Sequence, residues 1–65
     1  MKVIVNGEAH VVDVRTLANL MTALEYEGDW LVAAVNGDLV HREHWADLCL
    51  EERDRIEILS PMQGG

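Results

Sequence analysis

The residues of this sequence best suited to chemistry are the two at its carboxyl end, Gly64-Gly65. Glycine has no Cβ, so such an end can pass through a narrow channel and present an unshielded carboxylate to an attacking group. Pro61 lacks an N–H and stops the strand pattern before it, so the five residues from Pro61 onward can extend about 17 Å from the fold. By chance alone, a terminal Gly-Gly occurs in about 0.5% of chains. The pair therefore gains its meaning from the residues that precede it.

Other reactive side chains form weaker patterns. His41, His44 and Cys49 are close enough to suggest structural zinc, but they lack the paired-cysteine spacing of such sites, and the ordinary interpretation is two surface histidines and a buried thiol. Cys49 with His44 could form a nucleophile and base, and Glu51-Glu52 a carboxylate pair. Adjacent side chains point apart, however, and 65 residues leave little room for a substrate pocket. We expect neither a metal site nor catalysis from these side chains.

The composition limits the partners of the chain. Twelve acidic residues against five basic ones give a formal charge of −7, which argues against binding to nucleic acid or to an anionic membrane surface. The charge could steer a basic protein partner toward the chain, or it could serve solubility alone. A lone cysteine is typical of a reducing compartment, and neither a signal peptide nor a membrane span is visible. We therefore expect a soluble, cytoplasmic protein.

Two Asn-Gly pairs predict two β-hairpins, because both residues of such a turn tolerate a positive φ. The predicted strands are residues 2–5 with 8–12 around the first pair, and 30–35 with 38–40 around the second. The run 30–35 is apolar throughout, which is typical of a strand buried on both faces.

A single amphipathic helix is predicted between the hairpins. Thr16 is a suitable N-cap, and Gly28 is a reasonable exit from the helix. Apolar residues recur at the helical period and must be buried against another element: Leu17, Leu20, Met21 and Leu24.

The last third of the chain is predicted to be a turn of helix followed by one strand. Residues 41–50 have mixed character, with Trp45, Leu48 and Leu50 as the inward anchors. In the strand that follows, Ile56 and Ile58 share one face while Glu57 and Leu59 share the other.

Strands on both sides of one helix in so short a chain indicate an α+β fold, with the helix across one face of a mixed sheet. Residues 1–60 would form the domain and 61–65 a flexible tail. Val3 and Val5 would face the helix, whereas Ile4 and Leu59 would lie on the uncovered face. An apolar patch there is a candidate docking surface for a partner, although it could also be a scatter of single exposed residues.

The whole chain resembles the ThiS-type sulfur carriers of thiamine biosynthesis. The resemblance rests on the strand that ends in Asn36-Gly37, on Arg42-x-x-Trp45 after it, and on the last strand that leads to the terminal Gly-Gly. It implies the β-grasp, or ubiquitin-like, fold with four to five strands. One departure is Arg53, which stands where these families usually have a glycine before the aspartate; if a positive φ is needed there, Arg53 is strained by about 1 kcal/mol or more.

The resemblance also implies a reaction. A ubiquitin-activating-like adenylyltransferase would use ATP and Mg²⁺ to adenylate the carboxylate of Gly65, and sulfur from a cysteine desulfurase or another donor would convert it to a thiocarboxylate. A thiazole synthase would then take the sulfur. Met62, Gln63 and Gly64 would be the recognised tail, and the chain would be a carrier without bound cofactor or catalytic side chain.

Three other functions remain open from the sequence. A small subunit of molybdopterin synthase has similar chemistry but is usually longer, and the Arg42-x-x-Trp45 spacing favours the thiamine side. A ubiquitin-like protein modifier would join Gly65 to lysines of other proteins. A passive β-grasp interaction module would bind a partner without any chemistry at its end.

Overall fold

The computed structural model describes residues 1–28 and 30–60. Its elements follow the predicted order of two strands, a helix, two strands, a short helical turn and a last strand. They are β1 (Lys2–Val5), β2 (Glu8–Val11), α1 (Leu17–Ala23), β3 (Val32–Val35), β4 (Asp38–Val40), a 3₁₀ turn (Arg42–His44) and β5 (Arg55–Leu59). The strands form one sheet in the order β2-β1-β5-β3-β4. The α+β class and the mixed sheet with one helix are confirmed.

The last strand of the sequence is the central strand of the sheet. β5 pairs parallel with β1, where Val5 lies opposite Ile56, and antiparallel with β3, where Val32 lies opposite Leu59. The two hairpins therefore lie on either side of β5. Any segment that continues from β5 starts from the middle of the sheet and not from an edge.

Both hairpins turn at the predicted Asn-Gly pairs. Asn6 and Asn36 have φ angles of 50° and 53°, and the glycines that follow them have 84° and 88°. Two successive positive φ angles match the right-handed twist of the flanking strands and give the tight two-residue connection.

Helix α1 begins as predicted but ends earlier. The Thr16 hydroxyl accepts a hydrogen bond from the Asn19 N–H at 3.1 Å, which confirms the N-cap. The prediction that Gly28 ends the helix is wrong, because Glu25 takes the left-handed conformation with φ 62°. The N–H groups of Glu25 and Tyr26 donate to the carbonyls of Thr22 and Met21, which satisfies the helix end without a glycine. In the described part of the chain no helix has the length and apolarity to cross a membrane.

The core lies between α1 and one face of the sheet. Val3 and Val5 are buried there as predicted, and so are Ile56 and Ile58, because alternate residues of a strand point to the same face. Trp45 and Leu50 are buried beside them, and Leu48 packs against the core from a partly buried position.

The apolar run 30–35 is not buried on both faces. Ala33 and Val35 are buried, but Trp30 is 66% exposed and Val32 is 40% exposed. The single described α-helix covers only one face of the sheet, so the residues of β3 that point the other way remain open to solvent. The composition of this run reflects an uncovered apolar face and not a second layer.

Arg53 has a φ of 68°, which is the left-handed conformation that a side chain disfavours. We predict that Arg53→Gly raises the free energy of unfolding by about 0.5 to 1 kcal/mol, since relief of the backbone strain exceeds the extra entropy that glycine brings to the unfolded chain. Urea unfolding measures the change. Arg53→Ala is the matched control: it removes the same side chain but keeps the Cβ, so it should not stabilise the fold. An equal gain in both variants would attribute the effect to charge and not to strain.

Candidate functional site

The predicted tail starts where β5 ends. The strand runs to Leu59, and Ser60 is the last residue that the structure describes. The four tail residues of the predicted site lie outside the described residues: Met62, Gln63, Gly64 and Gly65. The proposed boundary of a domain 1–60 and a flexible tail 61–65 therefore stays a prediction.

The end of β5 is held by an asparagine side chain from the first hairpin turn. The Oδ1 atom of Asn6 accepts from the Ile58 N–H at 2.8 Å, and its Nδ2 group donates to the Ile58 carbonyl at 3.1 Å. The start of β5 is held from the second turn, where the Arg55 N–H donates to Oδ1 of Asn36 at 3.0 Å. The sequence shows both asparagines only as turn residues, so these contacts were not predicted.

Leu59 lies in an apolar patch on the uncovered face of the sheet, as predicted. Leu59 is 65% exposed and sits opposite Val32, while Leu39 is 60% exposed and sits opposite Ala34 on the same face. We call these four residues the β3–β5 patch. It includes Leu59, the last residue of β5.

Ile4 also lies on the uncovered face but belongs to a different part of it. It is half-buried between Ala9 of β2 and Arg55 of β5. Arg55 and Leu59 are four residues apart on one strand, so the two predicted docking residues are roughly 13 Å from each other along β5. The structure places Ile4 and Leu59 on one face without bringing them into contact.

A shallow groove of about 530 Å³ surrounds Ile4. Its lining includes Lys2 and Arg55, which are two of the five basic residues in a chain with twelve acidic ones. Glu57 lies in the same lining. The uncovered face is thus apolar at the tail end of β5 and carries positive charge at the opposite end of that strand.

The Arg42-x-x-Trp45 spacing has a structural explanation. Residues three apart in a 3₁₀ turn lie over each other, and the Arg42 guanidinium sits 5.2 Å from the centre of the Trp45 ring. The Trp45 indole N–H donates to the Val40 carbonyl at 3.0 Å, and Arg42 Nη1 donates to the Gly28 carbonyl at 2.6 Å. The hydrogen bond from Arg42 therefore holds the segment after β4 against Gly28, in the loop that follows α1.

The alternative reactive side chains do not come together. Cys49 is exposed, so the prediction of a buried thiol is wrong: the neighbouring Leu50 takes the inward position instead. His41 and His44 are exposed, as the surface interpretation expected. Across residues 1–28 and 30–60, no group of three or more His, Cys, Asp or Glu side chains could hold a metal ion.

A five-stranded mixed sheet with its last strand in the centre and one helix across one face defines a small ubiquitin-like, β-grasp domain. The sequence model of the ThiS family matches residues 3–65. The chain belongs to the ThiS family, and it is a sulfur carrier of thiamine biosynthesis. No curated protein matched the chain.

Two solved structures are similar to this chain over its whole length. The crystal structure of a thiamine biosynthesis protein (ThiS) from Geobacter metallireducens has a TM-score of 0.83 and 28% sequence identity, with 100% of both chains covered. A solution structure of a thiamine biosynthesis protein from the same organism has a TM-score of 0.80 and 28% identity, and covers 100% of this chain and 88% of the other.

Proposed function

We propose that the carboxylate of Gly65 is the group that carries the sulfur. The observation that supports this most directly is the position of β5: the strand that leads to the tail is central, is paired on both sides, and ends at Leu59 beside an open apolar patch. A firmly held strand gives the tail a fixed starting point. The folded domain then provides the surface that partners bind, and the reaction takes place at the carboxylate of Gly65.

The chemistry follows from the properties of a carboxylate, which is a poor electrophile. An activating enzyme of the adenylyltransferase type would join the Gly65 carboxylate to AMP from ATP with Mg²⁺, and pyrophosphate would leave. The terminal sulfur of a persulfide, supplied by a cysteine desulfurase or another donor, then attacks the carbonyl carbon and AMP departs. Cleavage of the remaining S–S bond by a thiol releases the thiocarboxylate, and a thiazole synthase consumes its sulfur.

The chain itself would act as a co-substrate and not as a catalyst. Every acid, base and nucleophile in this scheme belongs to a partner, and ATP and Mg²⁺ bind to the activating enzyme. Cys49 is a free and exposed thiol, which suits the reducing cytoplasm where we place this carrier. Gly64 would give the clearance that the reacting carbon needs, and Met62 and Gln63 would be read by the partner.

The uncovered sheet face is the surface that we assign to partner docking. The exposed side chain of Leu59 adjoins the tail, and Ile4 extends the same face toward β1. Large apolar side chains that solvent reaches in the free protein gain the most when a partner buries them. The net charge of −7 would speed the encounter with a basic partner.

Intact-mass measurement tests the proposed reaction. The purified chain is incubated with a ThiS-activating enzyme, ATP, Mg²⁺, a cysteine desulfurase and cysteine. Replacement of one oxygen by sulfur should raise the mass by about 16 Da, and omission of ATP should prevent the change. A mass that stays constant while the same enzymes load another carrier would favour the passive interaction module.

A further inference from the structure

The two Asn-Gly turns hold opposite ends of the same strand. Asn6 makes two side-chain hydrogen bonds to Ile58, near the tail end of β5, at 2.8 and 3.1 Å. Asn36 makes two side-chain hydrogen bonds at the other end, from the Arg55 N–H at 3.0 Å and to Asp54 Oδ1 at 3.0 Å. The two asparagines therefore hold opposite ends of β5, and the bonds of Asn6 are partly buried whereas those of Asn36 are exposed.

Asn6 extends the ladder between β1 and β5 beyond the end of β1. The last backbone bond of this ladder runs from the Asn6 N–H to the Ile56 carbonyl at 2.9 Å, and then the chain turns away at Gly7. The next backbone groups of β5 on this side belong to Ile58, and the Asn6 amide supplies both their donor and their acceptor. These bonds are partly buried, so the loss of the amide would leave two backbone groups with impaired access to water.

We infer that Asn6 is a positioning residue for sulfur loading, an inference that rests on the proposed function. With Ile58 held on the β1 side and Leu59 paired to Val32 on the other, the tail departs from a fixed point. Without the Asn6 amide, the strand end would fray back toward Ile56, and Leu59 would lose its fixed position in the β3–β5 patch. The activating enzyme must bind the β3–β5 patch and the carboxyl carbon of Gly65 at the same time. A less ordered end of β5 therefore lowers the fraction of encounters that place this carbon correctly in the active site.

Glycine substitutions test the side-chain hydrogen bonds of the two asparagines while they preserve the conformation of the turns. Asn6→Gly removes the amide but keeps the positive φ without strain, and Asn36→Gly does the same at the second turn. Each variant loses two side-chain hydrogen bonds, so the second is a control matched in substitution, in the number of bonds lost and in turn type. Asn6→Gly should lower kcat/KM for loading by roughly fivefold to tenfold, mainly through a higher KM for the carrier. The net loss of one hydrogen bond corresponds to a factor of about this size. Asn36→Gly should stay within about twofold of the unaltered chain.

Hydrogen exchange and backbone relaxation supply a readout that is independent of the reaction. Asn6→Gly should lose protection at the Ile58 amide and lower the order parameters of Leu59 and Ser60, whereas Asn36→Gly should lose protection at Arg55 and leave the strand end ordered. Equal loading defects in the two variants, or a fully ordered Leu59 in Asn6→Gly, would overturn the inference. If the unaltered chain is never loaded, the proposed function is wrong instead, and the order of Leu59 and Ser60 alone decides whether Asn6 holds the strand end.

Discussion

A single alanine appended after Gly65 should abolish sulfur loading while leaving the fold intact. The carbonyl carbon of Gly65 would become part of an amide and lose its free carboxylate, and the new terminus would carry a Cβ and lie about 3.5 Å further out. A displacement of this size at a reaction centre costs about a hundredfold or more in rate. Intact mass after incubation with the activating enzyme, ATP and sulfur donor measures the loss. The thermal unfolding midpoint should not change, because the addition lies beyond the last strand.

Cys49→Ser is the matched control for this experiment. Cys49 is the only thiol of the chain and is exposed, so it is the other atom on which sulfur could travel, as a persulfide. Loading should continue in Cys49→Ser and cease in the alanine extension. The reverse result would move the carrier chemistry from the terminal carboxylate to the thiol and contradict the proposed function.

The features that the sequence predicts correctly are those whose physical cause is local. The Asn-Gly turns need only two successive positive φ angles, and the face formed by Leu17, Leu20 and Met21 needs only the helical period. The α+β class followed from strands on both sides of one helix in a short chain, and the β-grasp fold followed from the resemblance. Leu59 was placed on the uncovered face because alternation along β5 leaves no other choice once Ile58 is buried.

The features that the sequence does not predict depend on which groups meet in the folded chain. The amide of Asn6 binds a residue 52 positions away, and no local pattern distinguishes such an asparagine from one that only makes a turn. Helix α1 ends at Ala23, and the left-handed residue that follows it is Glu25, which has a Cβ, and not Gly28. The carbonyls of Met21 and Thr22 are satisfied there by the N–H groups of Tyr26 and Glu25. The apolar run of β3 predicts burial on both faces. Composition alone does not show whether the same chain or a partner protein covers the second face.

Leu59→Glu should lower kcat/KM for loading by about thirtyfold. Leu59 is 65% exposed, so the substitution has little effect on the core, but it places a charge in the β3–β5 patch at the end of β5. An apolar residue that a partner buries typically contributes about 2 kcal/mol when it is central to an interface, which corresponds to this factor. Steady-state kinetics with the activating enzyme measures the change, and the effect should appear in KM because the terminal carboxylate itself is unaltered.

Val11→Glu is the control that shows whether the loss in Leu59→Glu comes from the β3–β5 patch or from the added charge alone. Val11 is 85% exposed and lies on the same uncovered face, but on the edge strand β2, away from the tail. Both variants change the net charge from −7 to −8, so any general electrostatic effect on the encounter with the partner is the same in each. A thirtyfold loss of kcat/KM in Leu59→Glu, with less than a threefold loss in Val11→Glu, would locate partner docking at the β3–β5 patch. Equal losses would mean that a carboxylate at either position on the uncovered face impairs loading, and the β3–β5 patch would then have no specific role.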